Sequence, residues 1–251
     1  MNNNNNRKHA VKSALILAMS VMLVPGAFAR VLPATSHAYY GMTYGEWSAK
    51  WWAWNNSMAV DQHPLFDTAD CSTRQLGTVW FLGGTSTATD RDGETVWAAD
   101  RVCNVPRGTA LFFPVINSEA ATLEGDGEGD EVLRAQAEWY QNHATELFAK
   151  IDGIPVKNLQ SYRVQSPLFQ YGPLPDNNVP FNLGGYSGAI AGASSDFVGD
   201  GVYLLIPPLP VGRHEIRFGG KAIYSSTNGD PFDFIFNLDV KYTINVLPQE
   251  K

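Results

Sequence analysis

Apolar and polar residues alternate most clearly near the C-terminus. His214, Ile216 and Phe218 take turns with Arg213, Glu215 and Arg217. Further on, Phe234, Phe236, Leu238, Val240, Tyr242, Ile244 and Val246 share one face of a longer run. A period of two marks a half-buried strand of an antiparallel sheet. A single strand over residues 232–246 would extend about 50 Å, so a break is expected near Asn237. Residues 78–82, 94–98 and 101–105 read as short strands, and the apolar run 109–116 as a buried central strand. Pro114 within that run predicts a bulge, and Asp92-Gly93 and Pro106-Arg107-Gly108 supply turns. The Pro-, Asn- and Gly-rich residues 167–201 form a loop long enough to be functional or locally structured.

Two segments change to a helical period. Thr43 and Glu46 make a capping box, and Tyr44, Trp47, Trp51, Trp54 and Met58 recur at spacings of three and four. A helix near 43–58 therefore docks an aromatic stripe onto a sheet. Trp52 lies off the stripe, which makes it the segment's candidate for ligand contact. Asp130 can cap a second helix near 130–150, built on Leu133, Ala137, Tyr140, Ala144, Leu147 and Phe148 and stopped by Asp152-Gly153. The expected fold is mainly β: an antiparallel two-sheet sandwich, jelly-roll or immunoglobulin-like, with two accessory helices, over residues 30–251 as one domain.

The first 29 residues read as a secretory signal peptide. Arg7, Lys8 and Lys12 precede an apolar run from Ala14 to Val24, and Ala27-Phe28-Ala29 offers a cleavage site after Ala29. The chain is then expected in the periplasm or outside the cell. The leader holds three of the 18 basic residues and none of the 25 acidic ones, so the balance past Ala29 is −10. That surface repels nucleic acid and anionic lipid, and no membrane insertion is expected once the leader is removed. Cys71 and Cys103 are the only cysteines. In an exported chain they should form a disulfide.

Candidate chemistry is sparse. Gly185-Tyr186-Ser187-Gly188-Ala189 lacks the last glycine of a nucleophile elbow. No two of His37, His63, His143 and His214 stand at metal-ligand spacing, so no metal and no cofactor are expected. His214 falls on an apolar strand face, as a neutral core histidine would. His63 lies close to Asp67 and Asp70, which makes a His–Asp site conceivable. Residues 124–129 alternate acid and glycine, but an EF-hand would need a glutamate where Ala135 stands. Glu46, Asp67, Glu119 and Asp196 could serve a glycosidase, and sequence alone pairs none of them. The ligand-binding candidates are Trp52, His63, Asp67 and Tyr186.

The stretches Tyr44-Gly45-Glu46-Trp47-Ser48-Ala49-Lys50-Trp51-Trp52-Ala53-Trp54, Val79-Trp80-Phe81-Leu82 and residues 200–220 resemble a group of uncharacterised exported bacterial proteins. The likeness covers most of the chain beyond the leader. It implies export and brings no activity with it. Within it, Leu209-x-x-Gly212-x-His214-x-Ile216 resembles a hairpin of immunoglobulin-like and jelly-roll sandwiches, which implies the fold and says little of function. Two expectations follow. One is a non-catalytic exported module that binds a glycan or an envelope partner. The other is a secreted polysaccharide-directed hydrolase or lyase.

Overall fold

The computed structural model describes residues 30–35, 39–67, 69–75 and 77–248. The leader, its cleavage site and His37 lie outside the described residues.

Two sheets pack face to face. The first comprises β1 (Val79–Phe81), β4 (Ala110–Ala121), β9 (Ser195–Ile206) and β7 (Arg163–Gln165) in that order, with β8 (Phe169–Tyr171) also paired to β9. The second runs β2 (Ala88–Arg91), β3 (Glu94–Pro106), β11 (Phe234–Leu247), β10 (Gly212–Tyr224), β5 (Ala144–Ile151), β6 (Ile154–Pro155). Phe113, Val115 and Leu204 of the first sheet meet Phe218, Val240, Tyr242 and Ile244 of the second. Each such side chain, fully buried, stabilises the fold by roughly 1.5–3 kcal/mol.

The sandwich is mixed rather than purely antiparallel. β1 runs parallel to β4, and β3 parallel to β11 over ten residue pairs. Alternation records which face is buried, not the direction of the neighbouring strand, so these pairings leave no trace in the pattern.

Helix α1 (Tyr44–Asn56) carries the expected capping box. The Glu46 carboxylate accepts the Thr43 N–H at 2.7 Å, and the Thr43 hydroxyl accepts the Glu46 N–H at 3.2 Å. Its Tyr44, Trp47, Trp51 and Trp54 pack on Phe112, Tyr203 and Leu205, on the outer face of the first sheet. The expected bulge lies in β4, where the register to β9 shifts between Pro114 and Ile116. Beyond it Ser118 and Ala120 face α2 (Asp130–Gln141), which lays Leu133 and Ala137 on Ala120 and Val198. Asn117, Glu119 and Ala121 alternate with them, on the α1 side.

Three sequence expectations change. The second helix ends at Gln141, and residues 144–151 form β5, hydrogen-bonded to β10. Residues 94–106 make one unbroken strand. β11 also runs without a break near Asn237, because β10 accompanies it over thirteen residue pairs.

Candidate functional site

Of the four ligand-binding candidates, Trp52 and Tyr186 border one aromatic cluster around Phe197, while His63 and Asp67 lie in the turns after α1. His63 is fully buried in the turn after α1. Its Nε2 donates to the Asn55 carbonyl at 2.8 Å, and its Nδ1 accepts the Leu65 N–H at 3.1 Å. Burial pushes its pKa down to about 4, with the Asn55 bond opposing and Arg101 assisting. A neutral imidazole bonded to backbone at both nitrogens serves the turn, so the His–Asp reading is corrected. Asp67 instead pairs with Arg101, which also donates to the Gly84 carbonyl and the Tyr242 hydroxyl, each at 2.7 Å.

Trp52 is half-buried rather than presented to solvent. Its indole lies over Gly199, where a Cβ would stand 2.5 Å from Nε1, and that N–H donates to the Tyr203 hydroxyl at 3.0 Å. Its ring centroid is 5.2 Å from that of Phe197. Tyr186 borders the same Phe197 cluster from the long loop. Leaving the α1 stripe thus brings Trp52 onto β9, not into water.

Two other histidines are also placed differently from expectation. His214 sits on the rim, between Asp152 Oδ2 at 2.8 Å and the Pro210 carbonyl at 2.9 Å. His143 lies in the turn after α2, stacked on Tyr224 at 4.2 Å and bonded to Asp230 at 3.0 Å. Cys71 and Cys103 are joined, with Cα atoms 5.8 Å apart.

An exposed aromatic surface lies where the β10–β11 hairpin overhangs the sandwich. A cleft of about 620 Å³ there is lined by Trp97, Tyr224, Phe234 and Ile235, with Glu94, Thr95, Ser225 and Asp233 along it. Trp97 meets Phe234 edge-on at 5.9 Å and Phe236 at 4.9 Å, while Tyr224 stacks on Phe234 at 6.3 Å. Phe234 is 44% exposed and neighbouring Phe232 43%. Hydrogen bonds hold the polar rim in place. Glu94 accepts from the Asn237 amide at 3.0 Å, and Asp233 from the Ser226 N–H and hydroxyl, each at 2.8 Å. Phe234 and Phe236 were legible as inward positions of a strand. What the sequence hid is that the strand outruns the sheet covering it.

A second polar site is a pair of carboxyls. The 3-10 turn Thr122–Glu124 folds back on the end of β4 and brings the Glu124 carboxyl into the electrostatic neighbourhood of Glu119. Glu119 Oε2 is sealed from solvent and receives no N–H or hydroxyl. Burial holds Glu119 well above the usual carboxyl range, with Glu124 adding to the effect, and burial likewise raises Glu124 to about 7. Glu119 was an unpaired acid in the sequence. The signal for its partner was the short turn ending at Gly125, which returns the chain onto its own strand.

Asp126 of the acidic loop accepts the Ala121 N–H and the Tyr140 hydroxyl, each at 3.0 Å. These bonds occupy it as a structural clasp. Among the described residues no three His, Cys, Asp or Glu side chains are gathered as a metal ion would need, and no described helix is long and apolar enough to cross a membrane.

No family model matches the chain, and no curated protein matches it. Among solved structures, one titled "Solution Structure of Amebosin" aligns at 9% identity and a TM-score of 0.15, over 59% of this chain and 96% of that one. A score that low transfers neither fold nor function.

Proposed function

We propose that this protein is an exported, non-catalytic module that binds a neutral glycan in the Trp97–Tyr224–Phe234 cleft. The observation that carries the reading is the half-exposed Phe234 ring, backed by Trp97 and the buried Tyr224, beside a fixed polar rim. Aromatic faces take the apolar side of a sugar ring, while carboxylates and hydroxyls take its hydroxyl groups. The disulfide and the acidic surface suit a compartment outside the cytosol.

Neither alternative reading has comparable support. Glycoside hydrolysis uses carboxyls about 5–9.5 Å apart, with room for sugar or water between them. Glu119, the candidate acid among them, has its Oε2 sealed from solvent instead. Assembly with an envelope partner through a sheet edge would use β3 beyond Trp97, where β2 no longer covers it, but the charged Asp100 and Arg101 and the closing Pro106 of that stretch blunt it against strand addition.

A glycan array probed with residues 30–251 tests the proposal. Phe234→Ala should weaken a specific hit about ten-fold, equivalent to about 1.4 kcal/mol, and leave the melting temperature nearly unchanged because Phe234 is half exposed. Trp52→Ala should do the reverse, lowering stability by about 3 kcal/mol with binding retained. Binding that survives Phe234→Ala and Trp97→Ala together would remove the cleft from consideration.

A further inference from the structure

A second cleft, of about 610 Å³, opens between α1 and the chain that runs from the disulfide turn into β1. Trp47 and Trp54 of α1 and Val79 and Phe81 of β1 give it an apolar lining, and the exposed residues Lys50 and Arg74 stand on it. It shares no lining residue with the Trp97–Tyr224–Phe234 cleft. The Phe81 ring packs against both indoles, with centroids 6.2 Å from Trp47 and 5.6 Å from Trp54. Both indole N–H groups are already engaged. That of Trp47 donates to the Tyr39 carbonyl at 3.0 Å and that of Trp54 to the Thr73 carbonyl at 3.3 Å. The aromatic lining therefore offers a ligand carbon surface and no donor.

The charge on this cleft is one-sided. No aspartate or glutamate lines it, and neither Lys50 nor Arg74 is hydrogen-bonded or ion-paired to a described residue. Glu46, one turn before Lys50 on α1, is turned back to Thr43, whose N–H and hydroxyl it accepts at 2.7 and 2.9 Å. In the groove lined by Arg91, Arg217 and Lys241, by contrast, Asp239 and Asp100 neutralise all three cations. A cleft with two cations and no acid reverses the sign of a chain whose net charge is −7. Arg74 is also held at φ 50°, in the left-handed region that arginine rarely adopts. Its turn is pinned. Gln75 bonds the Phe81 carbonyl at 2.7 Å and the Phe81 N–H at 2.8 Å, and Cys71 is bridged to Cys103.

We infer that this cleft binds a small anionic amphiphile, a carboxylate on an apolar chain, with the chain along Trp47, Trp54 and Phe81 and the head group at Lys50 and Arg74. The volume lies in the range of small-molecule sites, and walls fixed before binding keep the cost of ordering low. Covering the apolar part supplies the affinity. The two cations, with no acid competing for them, select the sign of the head group. A neutral amphiphile gains the apolar contact alone, and a cationic one meets like charge. Because both cations are exposed, their pull weakens as salt rises.

Calorimetric titration of residues 30–251 with decanoate, kept below its micelle concentration, tests the site. One decanoate should bind per chain, with decyltrimethylammonium and acetate each about ten-fold weaker or more. Lys50→Gln together with Arg74→Asn should weaken decanoate about ten-fold. The melting temperature should hold, because neither side chain is bonded and asparagine tolerates the left-handed backbone. Ala53→Glu, which puts an acid at an exposed position of the lining, should abolish binding, whereas Phe234→Ala in the other cleft should leave it unchanged. Equal affinity for decanoate and decyltrimethylammonium would overturn the inference, and so would no decanoate binding at all. Decanoate binding that survives the double substitution, or that falls with Phe234→Ala, would place the ligand elsewhere and overturn it too. If a variant does not fold, the comparison of the two charged head groups on the natural chain decides by itself.

Discussion

His63 and the Glu119–Glu124 pair pull the pH dependence of stability in opposite directions. His63 has a folded pKa pushed down to about 4 from 6.5, chiefly by burial. The unfolded chain binds its proton first, so stability falls as pH drops from about 6.5 to about 4, by roughly 3 kcal/mol. Glu124 is raised from 4.5 to about 7, and Glu119 is raised as well. For these acids the folded chain binds protons more tightly, so their contribution is complete below about pH 4.5 and is lost as pH rises through about 7. Between about pH 4.5 and 6.5 the two slopes oppose each other, and the natural chain should show a flattened profile. Urea midpoints should rise more steeply with pH over that window in Glu124→Gln, and should fall with pH in His63→Gln. Parallel profiles for all three chains would show that these groups do not titrate as assigned. The sequence offered every one of these residues but not their environments. His63 looked like half of a His–Asp site because Asp67 is near in sequence, and only the fold shows Asp67 turned to Arg101.

The β10–β11 hairpin shows why element boundaries were harder to read than element type. Its alternation was legible from His214 to Val246, and the capped aromatic helix was legible from Thr43 to Met58. The expected break near Asn237 rested on strand length alone. The pairing tolerates that length because β10 supplies Gly219 and Gly220 opposite Asp239 and Leu238. At Gly219 a Cβ would stand 1.8 Å from the Leu238 carbonyl oxygen and 3.0 Å from the Phe148 ring. Gly219→Ala should therefore force the two strands apart. Overpacking in a core typically costs 1–3 kcal/mol, and a collision with backbone should put this substitution at about 3 kcal/mol or more. A drop in urea midpoint of less than half that size would mean the hairpin has slack at this point. The end of α2 was misread for a related reason. Leu147 and Phe148 fit a helical stripe drawn from Leu133, but hydrogen bonding to β10 outweighs local propensity. Glu146, at φ 51°, marks the irregularity where β5 joins that register.

Across the whole molecule, the parallel pair β3–β11 joins strands more than a hundred residues apart in the chain, and Cys103 sits on it opposite Ile244. The disulfide to Cys71 extends that junction to the turn after α1. The same turn is held independently by Asp67 on Arg101 and by Gln75, whose amide bridges the Cys71 carbonyl and both backbone groups of Phe81. Two kinds of tie therefore act on one segment, and reduction should separate them. A bridge spanning 32 residues constrains the unfolded chain by about 3.5 kcal/mol on the chain-entropy account. For a domain of this size that corresponds to a fall in melting temperature of roughly 7–14 °C. Because the polar ties remain, far-UV circular dichroism at room temperature should be unchanged by the reductant. A melting temperature that does not move would assign the holding of this turn to Arg101 and Gln75. A loss of native signal at room temperature would make the disulfide a condition for the turn to fold at all, since Arg101 and Gln75 can grip the segment only after Cys71 has been brought to β3.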